Sequence, residues 1–467
     1  MPSPNLLHAI AHDAGGKVVI VAGAGCSVEA PTCLPMAWRC SLDAHQKLID
    51  DHILIDGECN NPSDLSCLAD TVKVKCGCQS NLVGRLPVDG FKRATPNNGH
   101  LFAIALMVEG AIAHIVTLNF DLAFSNALSE LSVSGITTIK GPEQHNDFGL
   151  HSIIYLHRSA EADPKEWVLT TDSLNNAWQG QWEEVIASMA ATIPYTVFAG
   201  IGSSCGVLTH SVNKILGALG QNKEFVIVDI CNPGESKFIA ETGITHDKCE
   251  QTGWVDFMSS LAERYKQRLF NEIEQLISQI WNAVALKDPV GLPLAQSQGL
   301  TQKLAEYSLV ELAAIRSRWS LATDAYRKSV LSELRLVAEA LLAIDAVERV
   351  CNAPSVINEN SSITVGLPNN RQLQVLLVCG VNGLRWSELD HRIEERLKYT
   401  RKPRYTRGSN KVIAVTIQGP KLSQLSPPRK IVDAPEQDDI ISGSDDFMYL
   451  DVDELRASPE KIKELLS

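Results

Sequence analysis

The sequence has 467 residues, which exceeds the usual size of one domain, so we expect two or three domains. Hydrophobic residues make up 45% and charged residues 21%, the composition of an ordinary soluble globular protein. With 42 Lys and Arg against 55 Asp and Glu, the net charge of −13 argues against a protein that coats nucleic acid over its whole surface.

No signal for export or membrane insertion stands out along the chain. The first residues lack a basic stretch followed by an apolar core, and no later apolar run reaches the roughly 18 residues of a membrane span. We therefore expect a cytoplasmic protein without membrane association, whose 12 cysteines are reduced. Cys76-Gly77-Cys78, with Cys59 and Cys67 upstream, lacks zinc-ribbon spacing, which makes a metal site there the less favoured interpretation.

Apolar strand-like runs alternate with helical patterns from residue 17 to about 232, which predicts an α/β fold with a Rossmann-like parallel sheet. The predicted strands are 17–22, 112–118, 152–156, 195–201 and 224–230. Between the first two strands lies a long insertion, about 39–95, that we predict to be a small helical subdomain.

The second half of the chain changes character. From about 256 to 350 the apolar spacing is helical, and the polar stretch 352–370 is typical of a boundary. Beyond it, "LQVLLVC", the helix-like 387–399 and "KVIAVTI" form a β-α-β pattern. We predict three domains: an α/β domain at 1–270, a helical region at 271–360, and a small α/β domain at 361–467 with an acidic, solvated stretch at 433–454.

The first predicted strand runs into glycines. Residues 18–27 read "VVIVAGAGCS", in which Gly23, Ala24 and Gly25 form a strand-to-helix turn whose N–H groups can approach an anion. A plain tight turn is the alternative. Dehydrogenase fingerprints need a third glycine where this chain has Val28, so the pattern disfavours hydride transfer.

The second predicted strand ends in polar residues at alternate positions: Thr117, Asn119 and Asp121. Ligands of open parallel sheets bind at the carboxyl ends of strands, so we expect these side chains to point into one cleft. The alternative is that Asn119 or Asp121 caps the helix "LAFSNALSEL".

Three further strands end in groups that can serve a ligand. His157 ends the strand at 152–156, where it can act as a general base near neutral pH or be a structural histidine. Gly202 and Ser203 follow the next strand, and Asn232 follows the last. These residues can reach a nucleotide or form plain turns.

Taken in order, these blocks resemble the sirtuin (silent information regulator) superfamily over about residues 17–235. The blocks are Gly-Ala-Gly-x-Ser at 23–27, Pro96-Asn97-x-x-His100, Thr-x-Asn-x-Asp at 117–121, Leu-His at 156–157, a Gly-Ser turn at 202–203, and Asn232. The most specific part is "PNNGHLFAIALMVEGAIAHIVTLNFD".

Departures from the family pattern indicate a subfamily. No cysteine lies between Cys78 and Cys205, so the resemblance implies that the structural zinc of deacylating sirtuins is absent. The Leu34-Pro35-x-x-Trp38 segment is similar to bacterial sirtuin-like domains of anti-phage defence systems, which hydrolyse NAD. Arg158 stands where many members have glycine, so the resemblance does not extend to the entrance beside His157.

The resemblance implies an NAD hydrolase that takes NAD as its substrate and releases nicotinamide and ADP-ribose. Asn119 would orient the water and the nicotinamide-side ribose, Asp121 would contact the carboxamide, and His157 would be the general base. The implied cofactor-binding residues are Gly23, Ala24, Gly25 and Ser27 at the pyrophosphate, Thr117 in the same cleft, and Gly202, Ser203 and Asn232 on the adenosine side.

The resemblance also implies a biological setting: an NAD-depleting effector of abortive infection, autoinhibited until triggered. Its expected partners are further copies of itself and a defence protein, either a helicase-like ATPase, a short Argonaute or a nucleotide-sensing protein. Nucleic acid is expected only at the basic patch 392–411, which contains Tyr399 and Tyr405. The alternative interpretation of this patch is a solvated helix face and loop. The alternative functions are a zinc-free deacylase or ADP-ribosyltransferase, and a catalytically silent NAD or ADP-ribose sensor.

Overall fold

The computed structural model describes residues 16–131, 136–173, 192–201, 224–236, 239–240, 243–285, 300–319, 330–358, 362–367, 372–379, 410–417 and 447–451, with a few single positions outside these ranges. The chain divides into two compact units, Met1–Lys266 and Gln267–Ser467. The division of the second half near residue 360 stays a prediction.

The first unit is built on a seven-stranded sheet in which every pairing is parallel. Its strands are β1 (Val18–Ala22), β2 (Ile112–Thr117), β3 (Thr137–Ile139), β4 (Ser152–Tyr155), β5 (Tyr195–Ala199), β6 (Glu224–Asp229) and β7 (Cys249–Gln251). The five predicted strands are β1, β2, β4, β5 and β6. The structure adds β3 and β7, which have only three residues each.

The strand order is β3-β4-β2-β1-β5-β6-β7, so the chain leaves β1 toward one side and later returns to its other side at β5. Every residue of β1 is buried, as expected for a Val- and Ile-rich strand with both faces covered. A reversal of strand order opens a crevice at the carboxyl ends of the strands. The topology therefore places a ligand crevice where β1, β2 and β5 end.

The insertion between β1 and β2 is helical, as the sequence predicts. It contains α1 (Ala37–Asp50), α2 (Leu65–Cys76), α3 (Ser80–Val83) and α4 (Val88–Lys92), which share one buried core. Asp64 caps α2 by accepting hydrogen bonds from Ser66 N and Cys67 N, and Gly77 ends it at φ 77°. After the insertion, α5 (Asn98–Val108) leads into β2, and α6 (Ala123–Leu131) follows it.

The second unit has a five-stranded mixed sheet in the order β12-β11-β10-β9-β8. Its strands are β8 (Ser355–Ile357), β9 (Ser362–Gly366), β10 (Gln372–Cys379), β11 (Asn410–Ile417) and β12 (Phe447–Asp451). The two strands predicted from "LQVLLVC" and "KVIAVTI" are β10 and β11, which pair in parallel. The predicted helix at 387–399 and most of the basic patch lie outside the described residues.

Among the residues that the structure describes, four helices precede this sheet: α7 (Trp254–Ala285), which begins in the first unit, then α8 (Gln302–Ala305), α9 (Leu309–Trp319) and α10 (Val330–Cys351). Within the described parts of the chain, no helix combines the length and apolar character needed to cross a membrane. The predicted fold class is confirmed: a Rossmann-like parallel sheet with a helical insertion, then helices and a small C-terminal sheet domain.

Candidate functional site

The glycine loop after β1 packs backbone to backbone against the turn after β5. Gly23 N donates to Ala199 O at 2.8 Å, and Gly25 N donates to Gly200 O at 2.9 Å. A Cβ on Gly25 would lie 2.6 Å from Gly200 Cα, and a Cβ on Gly200, whose φ is +65°, would lie 2.5 Å from Cys26 N. These positions require glycine because side-chain atoms have no space there.

This packing decides which loop groups can meet a ligand. The N–H groups of Gly23 and Gly25 already donate to carbonyls after β5, so these glycines serve the close approach of the two loops. Ala24 and Ser27, by contrast, line the neighbouring cavity. The Cys26 thiol faces inward toward Ala199 O, and burial raises its pKa well above the ordinary value, so it is no nucleophile at neutral pH.

The turn after β2 meets the glycine loop through two side chains. Asn119 Nδ2 donates to Gly23 O at 3.0 Å, and Ser27 Oγ donates to Asp121 Oδ2 at 2.9 Å. Asp121 Oδ1 also accepts from Ala123 N, the first residue of α6, at 3.0 Å. Asp121 therefore stabilises the start of a helix and contacts the loop, so both sequence interpretations apply to it.

Burial sets the charge properties of the site. The pKa of Asp121 is raised because the carboxyl is fully desolvated, although hydrogen bonds from Ala123, Ser27 and Asn119 lower it in part. His157 is also buried, and desolvation lowers its pKa to about 4 against the opposing effect of a hydrogen bond with the Leu118 backbone. The imidazole is therefore neutral throughout the physiological pH range.

Asn119, Asp121 and His157 share one cavity, which measures about 700 Å³ when its open mouth is included. The glycine loop contributes Ala24 and Ser27 to its wall. The remaining lining residues are mostly apolar: Leu34, Pro35, Ala37, Cys40, Leu65, Leu86, Phe91, Leu118, Phe120 and Leu169. A largely apolar cavity with a few convergent polar groups is the arrangement expected of a binding site.

Thr117 and Asn232 are not among the residues that line this cavity. Thr117 is buried, and its Oγ1 accepts from Asn119 N at 3.1 Å, which holds the turn in shape. Asn232 caps a short turn after β6 by accepting from Gly234 N. Gly202 and Ser203 lie outside the described residues. In the part of the chain that is described, no cluster of three or more His, Cys, Asp or Glu could hold a metal.

Sequence reasoning did not identify the apolar wall. Leu65, Leu86 and Phe91 come from the insertion, and Leu169 comes from the segment after His157. That segment is fixed to the insertion, because Gln79 Nε2 donates to Trp167 O at 2.6 Å. The Trp167 ring also stacks at 4.2 Å on Phe120, which follows β2. The one available signal was Leu34-Pro35, part of the segment that departs from the deacylase pattern.

Arg158, directly after His157, has φ +75°, a conformation that favours glycine. Its Nη1 donates to Glu143 Oε1 at 2.7 Å. We expect Arg158→Gly to be more stable than Arg158→Ala by about 1 kcal/mol, because both lose the ion pair and only alanine keeps the backbone strain. Thermal unfolding of the two variants measures this difference.

Gln46, an exposed position inside α1, provides the control. There the order should reverse, with Gln46→Ala more stable than Gln46→Gly by about 1 kcal/mol, because glycine costs conformational entropy in a helix. If alanine were the more stable residue at position 158 as well, the left-handed backbone at Arg158 would not be under strain.

No family model and no curated protein matches the chain. Among solved structures, similar chains include a Sir2 homologue–NAD complex, at 14% identity over 57% of this chain and 95% of that chain, with a TM-score of 0.32. A mutant Sir2 homologue in complex with ADP-ribose matches at 16% identity over 57% and 98%, with a TM-score of 0.32. A structure described as Sir2–p53 peptide–NAD⁺ matches at 14% identity over 56% and 98%, with a TM-score of 0.30.

Proposed function

We propose that the first unit binds NAD at the carboxyl edge of its sheet and cleaves the nicotinamide–ribose bond with water. The products are nicotinamide, ADP-ribose and a proton. One observation carries the proposal: Ser27, Asn119, Asp121 and His157 come from three separate segments and meet at a single cavity beside the glycine loop.

The chemistry suits such a site. Nicotinamide leaves as a neutral molecule because the positive charge of the pyridinium ring passes to the ribose, so no acid catalyst is needed. The site must hold the dinucleotide, stabilise the cationic ribose and position a water molecule. Asn119, fixed by its bond to Gly23 O, can orient the water and the ribose hydroxyls, while the Asp121 carboxyl can contact the carboxamide.

His157 supports the attack of water in this scheme. A ring with a pKa of about 4 is neutral at physiological pH, so it can accept a hydrogen bond from a ribose hydroxyl or from the water. As the new C–O bond forms, water loses its proton toward the ring, which passes it on to solvent. A low pKa favours that release.

Hydrolysis is favoured over transfer to a protein acceptor by one feature of the wall. Leu34 and Pro35, which belong to the segment similar to NAD-hydrolysing defence domains, line the cavity itself. A zinc-free deacylase or ADP-ribosyltransferase would consume NAD only when an acceptor is present. A silent NAD or ADP-ribose sensor would bind the dinucleotide and leave it intact.

The full chain is incubated with NAD and no acceptor, alone and co-purified with its natural partner, and the products are measured by chromatography. Nicotinamide and ADP-ribose are expected in equal amounts, released slowly by the autoinhibited chain alone and faster when the partner relieves the inhibition. Release that requires an acylated peptide or a protein acceptor would instead identify a transferase or deacylase. Binding of NAD without turnover, with and without the natural partner, would identify a sensor. If the chain neither binds nor cleaves NAD, the proposal is wrong.

We further infer a cytoplasmic role as the NAD-depleting effector of a bacterial anti-phage system that acts by abortive infection. Unrestrained turnover would deplete the NAD of the host, so the activity must be autoinhibited until a trigger arrives. Self-association and a partner of the helicase-like, short Argonaute or nucleotide-sensing kind would supply that control. NAD turnover by the chain alone and by the chain co-purified with its natural partner compares the two states.

A further inference from the structure

The exit of the glycine loop is held by a residue outside the cavity. Asn97 is completely buried, and its Nδ2 donates to Cys26 O at 2.9 Å and to Glu29 O at 3.4 Å. These two carbonyls flank Ser27, the loop residue that donates to Asp121. One amide group thus ties the chain on both sides of Ser27.

The Asn97 amide is fixed in this orientation by the start of α5. Its Oδ1 accepts from His100 N at 3.2 Å, while Asn97 N donates to His100 Nδ1 at 3.3 Å, which forms a reciprocal capping box. Since the oxygen is engaged with the helix, the NH₂ group must face the glycine loop. The hydrogen-bond pattern therefore leaves one orientation for the side chain.

The capping box is itself wedged in place. The His100 ring packs edge-on against Phe124 at 4.6 Å and against Trp254 at 6.2 Å. Desolvation lowers the pKa of His100 to about 3, so the ring stays neutral and Nδ1 keeps the lone pair that accepts from Asn97 N. Phe124 of α6 and Trp254 of α7 therefore hold the His100 ring in place, and His100 in turn holds Asn97.

We propose that Asn97 is a positioning residue that holds the glycine loop in its substrate-binding shape through Cys26 O and Glu29 O. It lies outside the cavity lining and acts through Ser27 and the loop backbone. The effect on NAD rests on the proposed function, whereas the effect on the loop is independent of it. Under the proposed function, loop residues contact the dinucleotide both in the ground state and in the transition state, so a loosened loop weakens the binding of both states equally.

Two substitutions separate loop holding from helix capping. Asn97→Ser keeps a hydroxyl that caps α5 as well as asparagine does, but removes the NH₂ group that ties the loop. Asn97→Asp also keeps the capping oxygen and turns a carboxylate toward the two carbonyls. Both variants are expected to raise KM for NAD about 10-fold or more, with kcat changed less than threefold.

Asn126 provides the matched control. Its Nδ2 likewise donates to two backbone carbonyls, Ala94 O at 2.8 Å and Lys92 O at 3.3 Å, which follow the α4 residue Phe91 and do not belong to the glycine loop. Asn126→Asp is expected to leave KM and kcat at their wild-type values. A rise of KM in this variant equal to that in Asn97→Asp would mean that any lost asparagine tie has the same effect, and would overturn the inference.

Amide hydrogen exchange of residues 23–29 in the full chain tests the inference without NAD. Cys26 N and Val28 N donate within the loop, to Gly23 O and Gly25 O, so they report its order. Their exchange is expected to be about 10-fold faster in Asn97→Ser and unchanged in Asn126→Asp. Unchanged exchange in Asn97→Ser overturns the inference, as does faster exchange with an unaltered KM, while a wild-type chain that ignores NAD refutes only the proposed function.

Discussion

Replacing Asn119 with alanine is expected to lower kcat for NAD cleavage by about 100-fold or more. The Asn119 amide is oriented by its bond to Gly23 O and lines the cavity beside Asp121 and His157. Preorganised polar groups aimed at the charge that develops in a transition state contribute factors of about this size. Because the lost interaction strengthens in the transition state, kcat should fall more than KM rises.

His157→Ala is expected to have a similar effect, of about 10²-fold or more, since general bases contribute that much. Turnover of NAD by the purified variants, alongside Asn126→Ala as a folded asparagine control outside the cavity, measures both effects. Full turnover by Asn119→Ala and by His157→Ala in a preparation whose wild type is active would show that the reaction takes place elsewhere. Asn119→Ala and His157→Ala should mainly lower kcat, whereas the Asn97 variants should mainly raise KM.

Mild acid is expected to destabilise the first unit strongly, because three buried histidines must be neutral in the folded state. Desolvation lowers the pKa of His100 to about 3 and those of His114 and His157 to about 4, against 6.5 for an unperturbed histidine. Between pH 6.5 and about 4 the unfolded chain binds protons that the folded chain does not, so stability falls as the pH falls.

Each of these histidines should lower the free energy of unfolding by about 1.4 kcal/mol per pH unit below 6.5. At pH 5 the three together amount to roughly 6 kcal/mol, which is comparable to the whole stability of many domains. Asp121 has the opposite effect, because its raised pKa makes the folded state bind a proton more readily than the unfolded state, so its contribution to stability increases as the pH falls. Stability above pH 6.5 should be independent of these three histidines.

Urea unfolding of the full chain between pH 5 and 7 measures this dependence. His114 serves as the test position because it lies within β2 and is not among the cavity-lining residues, and its Nδ1 has no hydrogen-bond partner among the residues described. In His114→Gln the slope of stability with pH should fall by about 1.4 kcal/mol per unit, the contribution of one proton. An unchanged slope in that variant would mean that His114 titrates normally in the folded protein.

The parallel sheet could be predicted because its strands are long, apolar and regularly followed by glycine or polar residues. β1 and β2 are fully buried, and they consist of Val, Ile and Ala except for His114 and Thr117 in β2, a composition that favours strands covered on both faces. β3 and β7 have three residues each, too few to produce a period in the sequence. Among the described strands, each pairs with only one neighbour, β4 or β6, at an edge of the sheet, and that pairing leaves no pattern in so short a segment.

The polar residues of the site could be predicted from the positions of the strand ends, whereas its apolar residues could not. Asn119, Asp121 and His157 come just after strand ends, and strand ends meet at one edge of a parallel sheet. Leu65 and Phe91 lie on insertion helices, where an apolar residue that lines a cavity looks like one that packs in a core. The role inferred for Asn97 could not be predicted from the sequence either. A sequence pattern indicates that Asn97 caps a helix through its oxygen, but it does not indicate what the Nδ2 group contacts.

The interlocked glycines have a consequence for how this protein can evolve. Gly25 and Gly200 are 175 positions apart, yet each occupies the space that a methyl group on the other would need. A substitution of either glycine alone would bring its Cβ into the backbone of the other loop. A second substitution at the other position would add another such clash and would not remove the first. Relatives that retain this loop contact should therefore carry glycine at both positions, and a chain that has lost one should have freed the other to vary.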